Sequence, residues 1–406
     1  MFDVINRIFN QLDFPDQIHV RLISKYFATN YPLTNLFDDV PNYHNLTDTL
    51  LTSYPSITKL NISKNTNITQ INHLLNLHTL NISFASNVTN FSSLTNLTKL
   101  YAYDNKHITN VNSLINLRVL NASWNCGINN YGLSTLTNLT RLNIVDNNKV
   151  TSINSLINLR ILYASFNCGL TNNGLSLLTN LTELHVSNNP NITDINYLQK
   201  LRFLDASFKS GISSQGLSCL TNLTELHTHD NHKIINVKCL TNLRILNASL
   251  NCGISNESLF LLTNLTELYV NHNERINNVN CLVNLQVLGA ADNCHIDNRG
   301  LSLLTNLTEL DVYNNPRISD VNCLINLRKL QASYNCGIKN AGLSKLTRLI
   351  ELNVDGNRYI TNLNKLVSLQ VLHASYKCGI TTKSIRKLTN LTELHIEGNK
   401  KLKNQK

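Results

Sequence analysis

A chain of 406 residues with 42% hydrophobic and 15% charged residues and only 6 prolines has the apolar content of a folded protein, which excludes a disordered or collagen-like chain. The formal net charge of +10 raises nucleic acid or an anionic membrane as partners, but the basic residues are dispersed apart from Lys400, Lys401, Lys403 and Lys406, with no dense stripe interleaved with aromatics. No apolar run approaches the roughly 18 to 20 residues that cross a bilayer, and residues 1–30 lack the basic start and apolar centre of a signal peptide. The expectation is an intracellular protein, cytoplasmic or nuclear, that binds neither nucleic acid nor membrane.

Residues 1–40 carry no repeat. Ile5, Ile8, Phe9 and Leu12 follow the spacing of one apolar helical face, and Asp16 offers a cap before a second apolar group of Ile18, Leu22 and Ile23, which predicts two short helices. The run from Asp3 to Phe27 resembles the F-box, with Val4, Ile8, Phe9, Leu12, Asp16, Leu22, Ile23, Ser24, Lys25 and Phe27 on that family's usual positions without a gap. This resemblance implies that Ile5, Ile8, Phe9, Leu12, Leu22 and Ile23 dock onto a Skp1-type adaptor of a cullin ubiquitin ligase, while a repeat domain selects the substrate. The family's opening Leu-Pro falls at and before Met1, so part of that contact is missing or replaced by Phe2. By pattern alone the same helices also read as a plain cap over the first repeat.

Residues 41–56 read as a degenerate first repeat or a linker. From Ile57 to Asn399 a Leu-x-x-Leu-x-(Leu/Ile/Val/Ala)-x-x-Asn motif recurs in seventeen units, 20 residues apart as far as Leu117 and then alternately 22 and 20 apart, a 42-residue double period. Leu181-Thr-Glu-Leu-His-Val-Ser-Asn-Asn189 typifies the shorter unit, and Leu159-Arg-Ile-Leu-Tyr-Ala-Ser-Phe-Asn-Cys-Gly169 the longer. Both resemble leucine-rich repeats, the shorter being similar to the short intracellular class and the longer to the cysteine-containing class of F-box proteins. The resemblance implies an α/β solenoid, a horseshoe with a parallel β-sheet on its concave face, preceded by the small helical cap. Strand alternation agrees, sending Leu184 and Val186 inward and Glu183, His185 and Ser187 to the other face. The ninth-position asparagines, from Asn65 to Asn399, are expected to satisfy buried backbone groups. Ala85, Lys209 and Lys377 interrupt them, and their units are expected to be looser. Residues 400–406 form a basic tail.

Cys126, Cys168, Cys252, Cys294, Cys336 and Cys378 share one 42-residue register, with Ser210 in the missing place, and Cys239, Cys281 and Cys323 share another. Members of one register lie two repeats apart, roughly 10 Å, too far for a disulfide. All are expected to be buried and reduced. His227, His229 and Glu225, with Asp230 and His232, form the best metal candidate, yet aligned places hold His185, Tyr269, Asn271, Asp311 and Tyr313. They read as one stretch of a variable face, and no metal or cofactor is expected. With no phosphate loop, nucleophile elbow or triad-like grouping, no catalytic residue and no enzyme is expected.

Two rows mark a candidate client-binding surface. Third-position residues on alternate strands run Lys99, Arg141, Glu183, Glu225, Glu267, Glu309, Glu351 and Glu393. Eighth-position residues on the intervening strands run Phe84, Trp124, Phe166, Phe208, Leu250, Asp292, Tyr334 and Tyr376. Aromatics at such places suit interface anchors, and the glutamates a basic protein client. The other reading pairs the glutamates with Arg118, Arg160, Arg202, Arg244 and Arg328 and packs the rings into loop corners. The expected protein is a monomer apart from its partners: either a substrate-recruiting subunit of an F-box ubiquitin ligase, or a repeat scaffold or effector unrelated to ubiquitin. Heavy use of Asn, Ile, Leu and Lys, with low divergence among repeats, is similar to the repeat proteins of giant DNA viruses of amoebae, which implies a host-cell setting.

Overall fold

The computed structural model describes residues 34–37, 46–84 and 87–402. Ile5, Ile8, Phe9, Leu12, Leu22 and Ile23 lie outside the described residues, as do Ala85 and the last four residues of the tail. The chain forms two compact units, Met1–His185 and Val186–Lys406.

In the first unit each repeat contributes one three-residue strand: β2 (Lys59–Asn61), β3 (Thr79–Asn81), β4 (Lys99–Tyr101), β5 (Val119–Asn121), β6 (Arg141–Asn143), β7 (Ile161–Tyr163) and β8 (Glu183–His185). A further strand, β1 (Asn35–Leu36), precedes the counted repeats and pairs with β2, placing Leu36 beside Leu60. Consecutive strands pair in parallel with the middle leucines in register, Leu80 beside Leu100 and Leu120 beside Leu142. The second unit repeats the pattern in β9 (Phe203–Asp205), β10 (Glu225–His227), β11 (Ile245–Asn247), β12 (Glu267–Tyr269), β13 (Val287–Gly289), β14 (Glu309–Asp311), β15 (Lys329–Gln331), β16 (Glu351–Asn353), β17 (Val371–His373) and β18 (Glu393–His395). Apart from Leu394 in β18, which is 36% exposed, the central leucines of β9–β17 are buried.

Helix is sparse. Besides α1 (Asp48–Thr52), whose N-cap Thr47 hydroxyl accepts from the Leu50 N–H at 3.3 Å, helix among the described residues is confined to single turns that the two extra residues of the longer rungs accommodate. These are α2 (Asn130–Leu133), α3 (Asn172–Leu175), α4 (Asn256–Leu259) and α5 (Thr382–Ile385), with 3-10 turns at Gln215–Leu217 and Asn340–Leu343.

The ninth-position asparagines are not equivalent, which corrects the single ladder expected from the motif. In the shorter rungs they are buried: Asn147, Asn231, Asn273, Asn315 and Asn357 are at most 1% exposed. Each reaches back to the preceding rung, Asn231 Nδ2 donating to Ala206 O at 2.7 Å and Ile212 O at 3.3 Å, while its Oδ1 accepts from the Lys233 N–H at 2.9 Å. In the longer rungs the ninth residue points outward, as Asn125, Asn167, Asn251 and Asn335 do, and the tenth residue is buried instead. Lys209 and Lys377 are therefore ordinary exposed residues, and their rungs bury Ser210 and Cys378 like the others. The glycine that follows lets the rungs approach closely: a methyl at Gly253 would stand 2.6 Å from His232 O.

Asn231→Ala would leave the Ala206 carbonyl and the Lys233 N–H without this partner, and a loss of roughly 2–4 kcal/mol is expected, against under about 0.5 kcal/mol for Asn251→Ala on the surface. Urea unfolding of both variants measures this; equal midpoints would contradict the two-class ladder.

Candidate protein-binding face

The eighth residue of each rung closes the strand by turning the backbone into the left-handed region. In the first unit φ is +57° at Phe84, +63° at Trp124 and +60° at Phe166; in the second it is +57° at Phe208, +58° at Leu250, +55° at Tyr334 and +60° at Tyr376. The turn aims the amide at the next rung, where Trp124 N–H donates to Val145 O at 2.7 Å and Tyr334 N–H to Asp355 O at 2.7 Å. Left-handed backbone costs about 1–2 kcal/mol for residues other than Gly, Asn and Asp. The alternate rungs make the same turn mostly with residues that tolerate it, Asp104, Asp146, Asn188, Asp230, Asn314, Gly356 and Gly398.

The rings are buried only in part. Trp124 is 46% exposed, Phe166 52%, Phe208 44%, Tyr334 46% and Tyr376 49%, with Phe84 and Leu250 half-buried. Phe84, Trp124, Phe208 and Tyr334 contact residues from the intervening rungs. In the first unit Lys64 Nζ lies 4.6 Å from the Phe84 ring, and Tyr103 stands between Phe84 (centroids 5.1 Å) and Trp124 (5.8 Å). In the second unit His229 meets Phe208 at 5.0 Å, Tyr313 meets Tyr334 at 5.3 Å, and Tyr334 lies 6.4 Å from Tyr376. Gly356 leaves room for that last pair, since a methyl there would be 3.2 Å from Tyr334 Cδ1. Tyr103 is absent from the eighth-position row; the only sequence signal for it is an aromatic at the seventh place of the adjacent rung.

The strand faces of the two units differ in charge. The first carries Lys59, Lys99 and Arg141 at third positions, and its one acid there, Glu183, is already engaged. Glu183 accepts from Tyr163 Oη at 2.9 Å and pairs with His185 Nε2 at 2.9 Å, while Arg141 donates to Tyr163 Oη at 2.6 Å. Burial raises the Glu183 carboxyl, but the His185 and Tyr163 hydrogen bonds outweigh it and hold the group below its ordinary range. Beside this network a hollow of about 530 Å³ is lined by Lys99, Tyr101, Val119, Asn121, Arg141 and Tyr163, among others.

The second face carries Glu225, Glu267, Glu309, Glu351 and Glu393 on every other strand. Glu225 pairs with His227 Nε2 at 2.8 Å, and Lys329 lies between Glu309 (3.6 Å) and Glu351 (3.8 Å). Among the described residues no ion pair joins the glutamates to Arg118, Arg160, Arg202, Arg244 or Arg328, so the Arg–Glu ladder of the other reading is not formed. Gly289 opens a hollow of about 340 Å³ lined by Tyr269, Val287, Glu309, Asp311, Lys329 and Gln331, among others. Burial, with the nearby Asp292 charge adding to it, pushes the Asp311 carboxyl above its ordinary range despite the Tyr313 N–H that it accepts.

The candidate metal residues diverge. His227 turns to Glu225 and His229 to Phe208, and among the described residues no three His, Cys, Asp or Glu side chains converge. Cys126, Cys168, Cys294 and Cys336 are buried, and burial pushes their thiols up to between about 11 and about 12. The second cysteine register, expected to be buried, is at the surface: Cys281 and Cys323 are exposed and Cys239 is intermediate.

No protein-family profile matches the chain, and no curated protein matches it in sequence. Solved structures do share its architecture. The functional domain of InlJ from Listeria monocytogenes, described as including a cysteine ladder, is 20% identical with a TM-score of 0.51, over 82% of this chain and 71% of that one. A leucine-rich-repeat protein of Leptospira interrogans is 21% identical with a TM-score of 0.52, over 88% and 93%. TLR13, in its ssRNA13 complex, is 19% identical with a TM-score of 0.54, over 91% of this chain and 60% of that one. At these identities the likeness concerns the fold alone: the chain is a leucine-rich-repeat solenoid.

Replacing Trp124 by Asn, a residue that tolerates the turn, is expected to cost no more than about 2 kcal/mol, because backbone relief of about 1 kcal/mol offsets part of the roughly 3 kcal/mol of half-buried ring contacts. Calorimetry checks this, and a loss above about 2 kcal/mol would mark the ring as core.

Proposed function

We propose that this protein is an interaction scaffold that binds a protein client on its strand faces and along the adjoining aromatic stripe. The observation that carries this reading is the set of half-exposed aromatic residues held in left-handed turns. An Asn or Gly would close the same turn at lower backbone cost, so the turn gives no reason for a ring there, whereas rigid half-exposed aromatics are what a docking surface uses. On this reading Phe84, Trp124 and Phe166 serve the first unit and Phe208, Tyr334 and Tyr376 the second. Glu225, Glu267 and Glu309 select a basic segment, and Glu183 orients Arg141 through Tyr163. The raised Asp311 carboxyl supports the basic client, because an arriving cation would relieve it. A phosphate backbone is disfavoured on that acidic face.

A Lys/Arg-rich peptide is expected to bind the full chain and to weaken about tenfold in a Glu225→Lys, Glu267→Lys, Glu309→Lys variant, as read by fluorescence anisotropy. Single-stranded RNA and an acidic peptide of equal length are the comparators. Preferential binding of the RNA, or no effect of charge reversal, would overturn the assignment.

We further infer a substrate-recruiting role in an F-box-type ubiquitin ligase, in the host cell if the gene is viral. It rests on the resemblance of residues 3–27, and the alternative is a scaffold or effector whose first 40 residues only cap the repeats. A purified Skp1-type adaptor is expected to retain the intact chain and to lose an Ile8→Asp, Leu22→Asp variant whose fold has been verified by circular dichroism. Failure to retain the intact chain would leave the scaffold reading and remove the ligase role.

A further inference from the structure

Four cysteines lie outside the buried register, all in the second unit: Cys219, Cys239, Cys281 and Cys323. They occupy one place in the rung, directly before a Leu-x-Asn-Leu segment, and successive rungs read Cys219, Cys239, Leu261, Cys281, Leu303 and Cys323 at that place. Cys219 and Cys239 therefore stand on adjacent rungs, whereas Cys281 and Cys323 have leucines between them and their nearest counterparts.

The two rungs are held in register on both sides of the cysteines. Downstream, Asn242 Nδ2 donates to Thr221 O at 2.9 Å; upstream, β9 pairs with β10, Leu204 beside Leu226. Each cysteine belongs to the same tight turn, closed by Leu220 N–H to Leu217 O at 3.1 Å in one rung and Leu240 N–H to Val237 O at 3.0 Å in the next. Like turns project equivalent side chains alike. Adjacent strands are spaced about 4.8 Å, and a disulfide takes Cα separations of about 4.4–6.8 Å. The Cys239 thiol is raised chiefly by burial, and the Cys219 charge adds to the effect. Leu220 and Leu240, buried beneath, anchor both turns.

We propose that Cys219 and Cys239 form a redox pair that a peroxide closes into a disulfide, joining two adjacent rungs of the second unit. The exposed Cys219, as thiolate, attacks one peroxide oxygen: an S–O bond forms, the O–O bond breaks, and the departing oxygen takes up a proton and leaves as water. Cys239, as thiolate, attacks the resulting sulfenic sulfur; the S–S bond forms, the S–O bond breaks, and the hydroxyl leaves with a proton as a second water. Two thiols lose two electrons and one peroxide is reduced to two waters.

The test treats the full chain at high dilution with hydrogen peroxide, alkylates the remaining thiols and maps peptides without reduction by mass spectrometry. The expected product is a peptide pair joined through Cys219 and Cys239, released by dithiothreitol, while Cys281 and Cys323 are recovered unjoined. Cys219→Ser is expected to abolish the joined pair and leave Cys239 alkylatable, with circular dichroism unchanged. Recovery of Cys219 and Cys239 as separate peptides after peroxide, or cross-links spread evenly over all four cysteines, would overturn the proposal.

Discussion

Everything in this solenoid depends on one constraint: a rung cannot satisfy its own turn. Its strand is three residues long, its leucines face inward, and the backbone groups at the strand exit are buried beside the neighbouring rung. The buried asparagine amide answers this by donating backward to the previous rung while accepting from its own turn, as Asn147 does toward Ala122 and from Lys149. A buried polar group left unpaired costs about 1–3 kcal/mol, so a repeat lacking its neighbour loses both its core cover and its turn.

The 42-residue period follows from solving this constraint in two ways alternately. The shorter rung buries an asparagine at its ninth position. The longer rung buries a small side chain one place later, a cysteine or Ser210, and in most of these rungs a following glycine lets the preceding rung come close, as Gly253 does at His232 O. Asn315 Nδ2 then donates to Ala290 O at 2.8 Å, the small sixth-position residue of the longer rung. The same bond joins two consecutive shorter rungs where Asn105 Nδ2 donates to Ile82 O at 2.7 Å, so the asparagine serves either kind of neighbour.

The period, the inward leucines and the parallel arrangement were legible in the sequence because each depends on spacing, and spacing survives variation of the other residues. Legibility ended where identical letters have different environments. Asn231 and Asn251 occupy the same motif place, yet one is buried and the other exposed, and only the following Cys-Gly hints at the difference. The β1 strand at Asn35–Leu36 was missed because two residues hold no period, and Cys219 escaped the second register because it belongs to the longer rung. The left-handed turns at Phe84, Trp124 and Tyr334 were invisible for another reason: propensity reads Gly, Asn and Asp as turn formers, and a bulky ring at such a place contradicts the rule.

That contradiction bears most directly on function. Where local preference and observed backbone disagree at a residue that is also half-exposed, the turn does not explain the side chain and the core explains only its buried half. The alternation sharpens the point, since most neighbouring rungs make the same turn with residues that suit it. The charges differ in kind. Glu183 is held by His185 and Tyr163, so its negative charge is largely spent within the first unit. In the second unit Glu225 is likewise held by His227, but Glu309 and Glu351 share the single Lys329, and burial raises the Asp311 carboxyl. On the proposed reading, the acidic face would orient a basic segment and the row of rigid rings beside it would anchor it.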